Sequence, residues 1–363
     1  MKKYNNIKKK NVRRKRLNIP KIIFTLLILV LIVFAIKYIF FNKNTKKTDL
    51  GIEVVSQNIV SIEDNEAPEL VLNGKEYEVL AKGNTYSDKM VIAKDNLDGD
   101  ITDKVKVEGD VDTLKEGIYE LIYSVKDEAG NENSIKRTVE VRNSLGNKGL
   151  PVLMYHFFYD ENKTAGQDNN WLEISDFEEQ IQYLSDNNFY FPTWEEVENY
   201  IDGKINLPQK SIVLTVDDGD DSFFELAVPI LQKYNVDATS FVITSWYGYR
   251  ANEKQKNVSY QSHSDCMHEG ATNGKGVMLS WPIGKIVEDL NASNKTLGEN
   301  ATVFCYPFGQ YNDGAILALK QAGFKLAFTT QGGRVYKGSD KYKLPRVRIL
   351  KTTTMKEFKN MVN

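Results

Sequence analysis

The chain has 363 residues with 47 Lys and Arg, 49 Asp and Glu, three His and two Cys, for a formal charge of −2. A hydrophobic content of 41% excludes a wholly disordered or collagen-like chain, and two cysteines exclude a disulfide scaffold or a four-cysteine zinc finger. The length predicts two or three domains. Residues 1–47 hold 14 of the basic residues and no acid, so residues 48–363 carry 33 basic against 49 acidic groups, a net of −16. An acidic bulk behind a basic tip argues against nucleic acid as a partner.

The basic tip, residues 1–21, is densest from Lys8 to Arg16. Ile22–Phe41 follows, twenty residues interrupted only by Lys37, enough to cross a hydrocarbon core of about 30 Å. Lys37 is close enough to the end to snorkel. The next residues, Asn42-Lys43-Asn44-Thr45, do not form a small-x-small cleavage site, so the span is predicted to be an uncleaved signal anchor. The positive-inside rule then expects a single-pass cell-membrane protein with a cytoplasmic tail at 1–21 and the remainder outside.

Residues 42–66 are polar and aperiodic, a tether. From 67 to 142 short alternating segments are separated by turn signals. Tyr119, Leu121, Tyr123 and Val125 alternate with Glu120, Ile122, Ser124 and Lys126, Ile135 to Val141 repeats the pattern, and Asn96–Asp100 and Asp127–Asn131 read as turns. This predicts a small all-β sandwich. The order of Glu66-Ala-Pro68, Asn96-Leu-Asp-Gly-Asp100 and Asp127-Glu-Ala-Gly-Asn131 resembles the Ig-like modules of bacterial surface proteins. Asp95, Asp98 and Asp100 are read as ordinary turn residues, with calcium as the alternative. Asn143–Gly149 is read as a linker.

From residue 150 strands and helices alternate. Ser175 opens an amphipathic helix, Thr193-Trp-Glu-Glu196 is a capping box, and 211–216 is a buried-strand run followed by a helix over 225–234. Strands are expected over 238–244, 301–306, 325–329 and 344–350, with a helix at 312–322. Repeated βα units predict a parallel sheet, open or closed into a barrel, and a barrel would put its chemistry past the C-terminal strand ends.

The polar residues cluster at such places. Strand 211–216 runs into Asp217-Asp218, adjacent carboxylates that point to opposite sides, so one can bind a metal while the other faces a substrate. The three histidines are His156, after a strand, and His263 and His268 in a polar stretch, Trp246–Gly276, taken as one long loop. Two imidazoles and a carboxylate suit zinc or a similar divalent ion.

The stretches Pro151–His156, Leu207–Gly219, Ser262-His-Ser264 with His268, Phe304–Gly309 and Leu344–Arg348, in that order, resemble the polysaccharide deacetylases of carbohydrate esterase family 4. The likeness is closest to the branch that deacetylates biofilm poly-N-acetylglucosamine, and it spans residues 150–350 of a deacetylase domain expected over 150–363. It implies a deformed (β/α) barrel and a metal-dependent hydrolase acting on a polysaccharide. A permanent anchor and a short spacer would keep the domain near the wall, so the polymer is expected to be peptidoglycan, with secreted poly-N-acetylglucosamine, which the branch resemblance favours, as the close rival and a non-catalytic glycan-binding protein as the rival of another class. By the same resemblance Asp217 is the catalytic base, Asp218, His263 and His268 hold the metal, most simply Zn2+, the Phe308 N–H helps hold the oxyanion, and His156 is the acid. Two features depart from the family pattern. The arginine that steadies the base is replaced by Cys305, and no histidine follows His268. Arg346 or Arg348 is a candidate substitute, and Arg346 is also placed among the substrate-facing residues with Trp246, Tyr247 and Tyr260, aromatic faces that could stack on sugar rings. Cys266 and Cys305 are expected to be two small buried hydrophobes, with a disulfide between them as the alternative.

Overall fold

A computed structural model describes residues 63–270, 274–298 and 301–363. The basic tip, the apolar span and nearly all of the tether lie outside these residues. Among the described residues no helix is long and apolar enough to cross a membrane.

Seven short strands build the first unit: β1 (Glu69–Leu72), β2 (Tyr77–Ala81), β3 (Val91–Asp95), β4 (Gly99–Asp100), β5 (Lys106–Glu108), β6 (Gly117–Lys126) and β7 (Glu132–Arg142). They form two sheets, ordered β1-β3-β4 and β2-β7-β6-β5. Period-two alternation on β6 buries Leu121, Tyr123 and Val125 against Leu70, Val91 and Ala93 of the facing sheet. Asp95 Oδ1 accepts the Leu97 and Asp98 N–H groups and Asp100 Oδ1 accepts that of Thr102, so these carboxylates serve their own turns.

Asn143–Gly149 is not a free linker. Ser144 bridges Pro208, Leu145 N–H donates to the Leu207 carbonyl at 2.7 Å, and Gln209 N–H donates to the Asn143 carbonyl at 2.7 Å. Asn84 and Asn206 exchange two hydrogen bonds across the same joint, and Arg142 donates to the Asn188 carbonyl at 2.7 Å. The polar composition that reads as a loop here supplies backbone pairing to the second unit.

That unit is a closed barrel of seven parallel strands: β8 (Val152–Tyr155), β11 (Val213–Val216), β12 (Ala238–Val242), β13 (Val258–Ser262), β14 (Val303–Cys305), β15 (Leu326–Gly332) and β16 (Leu344–Arg348), with β16 returning to pair with β8. A short parallel pair, β9 (Phe157–Tyr159) and β10 (Trp171–Glu173), stands beside the first barrel strand. The helices are α1 (Ile174–Asp186), α2 (Trp194–Ile201), α3 (Val228–Tyr234), α4 (Thr244–Ala251), α5 (Ile283–Thr296), α6 (Asp313–Gln321) and α7 (Met355–Val362). The Thr193–Glu196 capping box is present in both directions. The stretch taken as one long loop from Trp246 to Gly276 instead contains most of α4 and all of β13. Aromatic, Gly-containing Thr244–Ala251 carries little helical periodicity, and Val258–Ser262 is a barrel strand rich in polar residues.

Candidate active site

The barrel delivers most of the candidate residues at the C-terminal ends of its strands. His156 follows β8, Asp217 and Asp218 follow β11, His263 follows β13 and Tyr306-Pro307-Phe308 follows β14, whereas Arg346 is the middle residue of β16. Ladder hydrogen bonds run past the strands and fix these residues: Asp217 N–H to the Tyr155 carbonyl, Ile243 N–H to Asp218, and His263 N–H to Val242, each at 3.0 Å. Asp218 has φ of 73° and Ser264 of 80°, left-handed values that a non-glycine residue adopts only where its surroundings hold it.

The two aspartates are sorted by their neighbours. Asp218 Oδ1 lies 3.3 Å from His263 Nε2 and 3.4 Å from His268 Nε2. Two ligands 2.0–2.1 Å from one centre at the tetrahedral angle are separated by about 3.3 Å, so this donor set fits a divalent ion such as zinc. His263 Nδ1 is 2.8 Å from the Cys305 carbonyl, which as acceptor fixes the tautomer and leaves Nε2 free to ligate. Asp217 faces the other way. Arg346 donates to both of its oxygens, each at 2.7 Å, and also to Thr215 Oγ1 and the Thr329 carbonyl at 3.1 Å. With both oxygens taken by a guanidinium, Asp217 is a poor ligand and a well-held base.

The electrostatics follow. Burial alone would raise the Asp217 carboxyl, but the charge and paired hydrogen bonds of Arg346 outweigh it and hold the group far below the usual carboxylate range. Burial likewise works against an ionised Asp218, and His263, by its hydrogen bond and charge, overturns it. His268 is pushed down to about 4 by burial and the neighbouring His263, so it is neutral and ready to ligate. Burial lowers His156, against the pull of Asp217, whose Oδ2 is 3.8 Å from its Nε2.

The aromatic candidates divide. Trp246 is exposed on α4 with its ring 5.8 Å from His268, and the exposed Phe308 ring lies 4.4 Å from the same imidazole, so the two flank it. Tyr247 is on the same helix and donates to Asp220 Oδ2 at 3.0 Å. Tyr260 does not line the site. It lies on β13 with its ring stacked on Phe224 of the helical layer, 6.2 Å away at 9°, because strand alternation turns it outward. Arg346 is not substrate-facing either, being wholly buried against Asp217, and Arg348 points to Asn170 on the surface. Both cysteines are free; Cys305 is buried with its sulfur 3.0 Å from Arg346 Nη2, but Cys266 is exposed, contrary to the expectation for it. Spacing gave no sign of Phe157 and Trp171, which β9 and β10 stack at 5.0 Å beside His156.

Residues 204–327 match the polysaccharide deacetylase family and residues 70–141 the Ig-like domain of bacterial surface proteins. The chain carries a polysaccharide deacetylase domain. The poly-beta-1,6-N-acetyl-D-glucosamine N-deacetylase of Staphylococcus aureus (strain MRSA252) is 29% identical over 212 residues, 53% of this chain and 73% of the relative. The Staphylococcus epidermidis protein of the same name is 29% identical over 192 residues, 48% of this chain and 66% of its own. Among solved structures, the Streptococcus pyogenes deacetylase PplD in complex with acetate superposes with a TM-score of 0.52 at 25% identity, covering 59% of this chain and 98% of that one. IcaB from Ammonifex degensii shares the fold, with a TM-score of 0.51, 24% identity and coverage of 61% and 98%. Esterases of this family depend on a divalent metal, and the deacetylase domain presents a donor set that fits one.

Within that domain the Pro307–Gly309 turn brings Phe308, at φ 58°, against His268, and Gly309 has φ of 70°. A Cβ on Gly309 would meet Thr330 Oγ1 and Cγ2, the latter at 2.7 Å. Gly309→Ala should therefore shift the turn and its Phe308 N–H. An oxyanion donor is typically worth 10²–10³ in rate, so a displaced one should cost at least about tenfold in kcat. Metal content by elemental analysis should stay at the wild-type level; lost metal or an unchanged kcat would contradict this placement.

Proposed function

We propose that the protein is a zinc-dependent N-deacetylase of secreted poly-β-1,6-N-acetylglucosamine, held at the outer face of the cell membrane by residues 22–41 and a stiffly joined Ig-like unit. The observation that carries the chemistry is the pair Asp217-Asp218 at one strand end, one carboxylate locked to Arg346 and the other facing two imidazole Nε2 atoms. The polymer is supported by the staphylococcal relatives of that name. Peptidoglycan, expected from the anchor, is not the polymer these relatives are named for.

A divalent ion held by Asp218, His263 and His268 would polarise the acetyl carbonyl and acidify a water at neutral pH. Asp217 is ionised and fixed by Arg346, so it takes the proton from the attacking water without having to reorganise. The Phe308 N–H, in the turn that lies against His268, donates to the developing oxyanion. His156, in its imidazolium form and 3.8 Å from Asp217 Oδ2, gives a proton to the departing glucosamine nitrogen. Trp246 and Phe308 present apolar faces on which a pyranose ring can lie.

Full-length protein in detergent should release acetate from β-1,6-linked N-acetylglucosamine oligomers, lose that activity on chelation and regain it with zinc. Faster release from peptidoglycan would overturn the polymer assignment. Release from neither, with zinc bound and the fold intact, would favour a glycan-binding protein. Removing residues 22–41 should move the activity to the soluble fraction, and activity that stays in the membrane would overturn the anchor.

A further inference from the structure

The segment between the two histidine ligands is held from outside the barrel. Helix α5 packs against β13 and turns two buried polar side chains, Asp289 and Ser293, toward it from successive turns. Asp289 Oδ1 accepts the Asp265 N–H and Oδ2 accepts the Cys266 N–H, both at 2.8 Å. Ser293 Oγ shares a hydrogen bond of 2.7 Å with Ser262 Oγ, which accepts the Ser264 N–H at 3.1 Å. Ser264 Oγ in turn accepts the Met267 N–H at 3.1 Å. Four successive backbone N–H groups, 264 to 267, thus end on side chains rather than in regular structure.

This arrangement costs the fold something. Asp289 is only 8% exposed, and taking a carboxylate out of water is unfavourable. Asp289 itself is raised by burial, with the two N–H groups pulling it back down. Ser264 sits in a left-handed conformation that open backbone would not keep. A neutral residue packed at 289 would be easier on the helix but would leave two loop amides without acceptors.

We infer that Asp289, assisted by Ser293, is a positioning residue of the metal centre, whose hydrogen bonds hold the His263–His268 segment in the shape that sets both Nε2 atoms against Asp218 Oδ1. The inference rests on reading those three residues as the ligands. Outer residues that orient metal ligands typically govern affinity by 10–100-fold. Full-length Asp289→Ala should therefore bind zinc about 10–100-fold more weakly in competition with a chelating dye, and its cobalt-substituted form should show an altered visible spectrum. Asp289→Asn keeps one acceptor oxygen and should fall between Ala and wild type. Ser293→Ala should weaken zinc in the same direction by less.

The metal-free melting curve separates this role from simple structural support, which would lower the apo melting temperature and leave the metal affinity of folded protein unchanged. Folded Asp289→Asn and Ser293→Ala proteins with wild-type zinc affinity and an unchanged cobalt spectrum would overturn the inference, and these two variants carry the test if Asp289→Ala does not fold. Wild-type protein that binds no zinc would instead overturn the ligand reading itself.

Discussion

Replacing Asp217 by Asn should lower kcat by about 10²–10⁴-fold, the usual worth of a positioned general base, while zinc stoichiometry stays at the wild-type value. The expectation comes from the division of labour at the end of β11. Asp218 faces His263 and His268, and Asp217 faces Arg346. An Asn at 217 keeps the shape but cannot take a proton, and its amide group would confront a guanidinium that donates to both carboxylate oxygens. The variant should therefore also be less stable, by part of the roughly 3–5 kcal/mol that breaking a buried pair costs. Asp218→Asn is the matched control and should lose metal first. Kinetics with elemental analysis on both proteins decide the matter. An unchanged rate in Asp217→Asn, or loss of its metal, would show that the two carboxylates have been assigned the wrong way round.

Much of this centre was legible because its parts stand at strand ends in simple local patterns. A buried run ending in two aspartates and a pair of histidines five residues apart suggest metal chemistry before any fold is known. The alternation along β6 and the Thr193 capping box are equally local. What escaped depends on closure of the barrel. Arg346, one of the two arginines offered as the substitute for the missing one, meets Asp217 across 129 positions of chain because β16 returns to pair with β8, and no spacing rule could choose it over Arg348. Tyr260 looked like a sugar-stacking residue because β13 was taken for loop, and a strand decides which side of the barrel a ring faces. Asp289 lies on a helix where an acidic residue ordinarily reads as solvated surface, and only packing of α5 on β13 makes it a clamp.

The arginine contact also removes the chief reason to think of a glycan-binding relic. The position that ordinarily steadies the base is Cys305, whose sulfur lies 3.5 Å from Asp217 Oδ2. A thiol cannot balance a buried carboxylate. Arg346 reaches the same carboxylate from a different strand and touches the Cys305 sulfur on the way. The counter-charge that the buried base needs is therefore present, supplied by Arg346.

Removing that charge should have the second large effect. In Arg346→Met the Asp217 carboxylate, 2% exposed, loses its counter-charge, and burial, the largest influence on it, acts unopposed by the guanidinium. In the wild type the folded pKa lies below the unfolded value of about 3.9, so the pair contributes stability that is complete above that value and lost only as pH falls further. In the variant the folded pKa should rise above the unfolded value, which reverses the sign. The protein should be destabilised at neutral pH, by about 3–5 kcal/mol for an uncompensated buried charge, and should regain part of this on acidification as Asp217 takes a proton. Because a base must be ionised to act, the acid limb of kcat/KM should move to higher pH by at least about one unit. Denaturant melts at pH 7 and pH 5, run beside the pH profile, test both halves. An acid limb that stays in place, together with stability that falls on acidification as in the wild type, would mean that Arg346 packs the barrel without tuning Asp217.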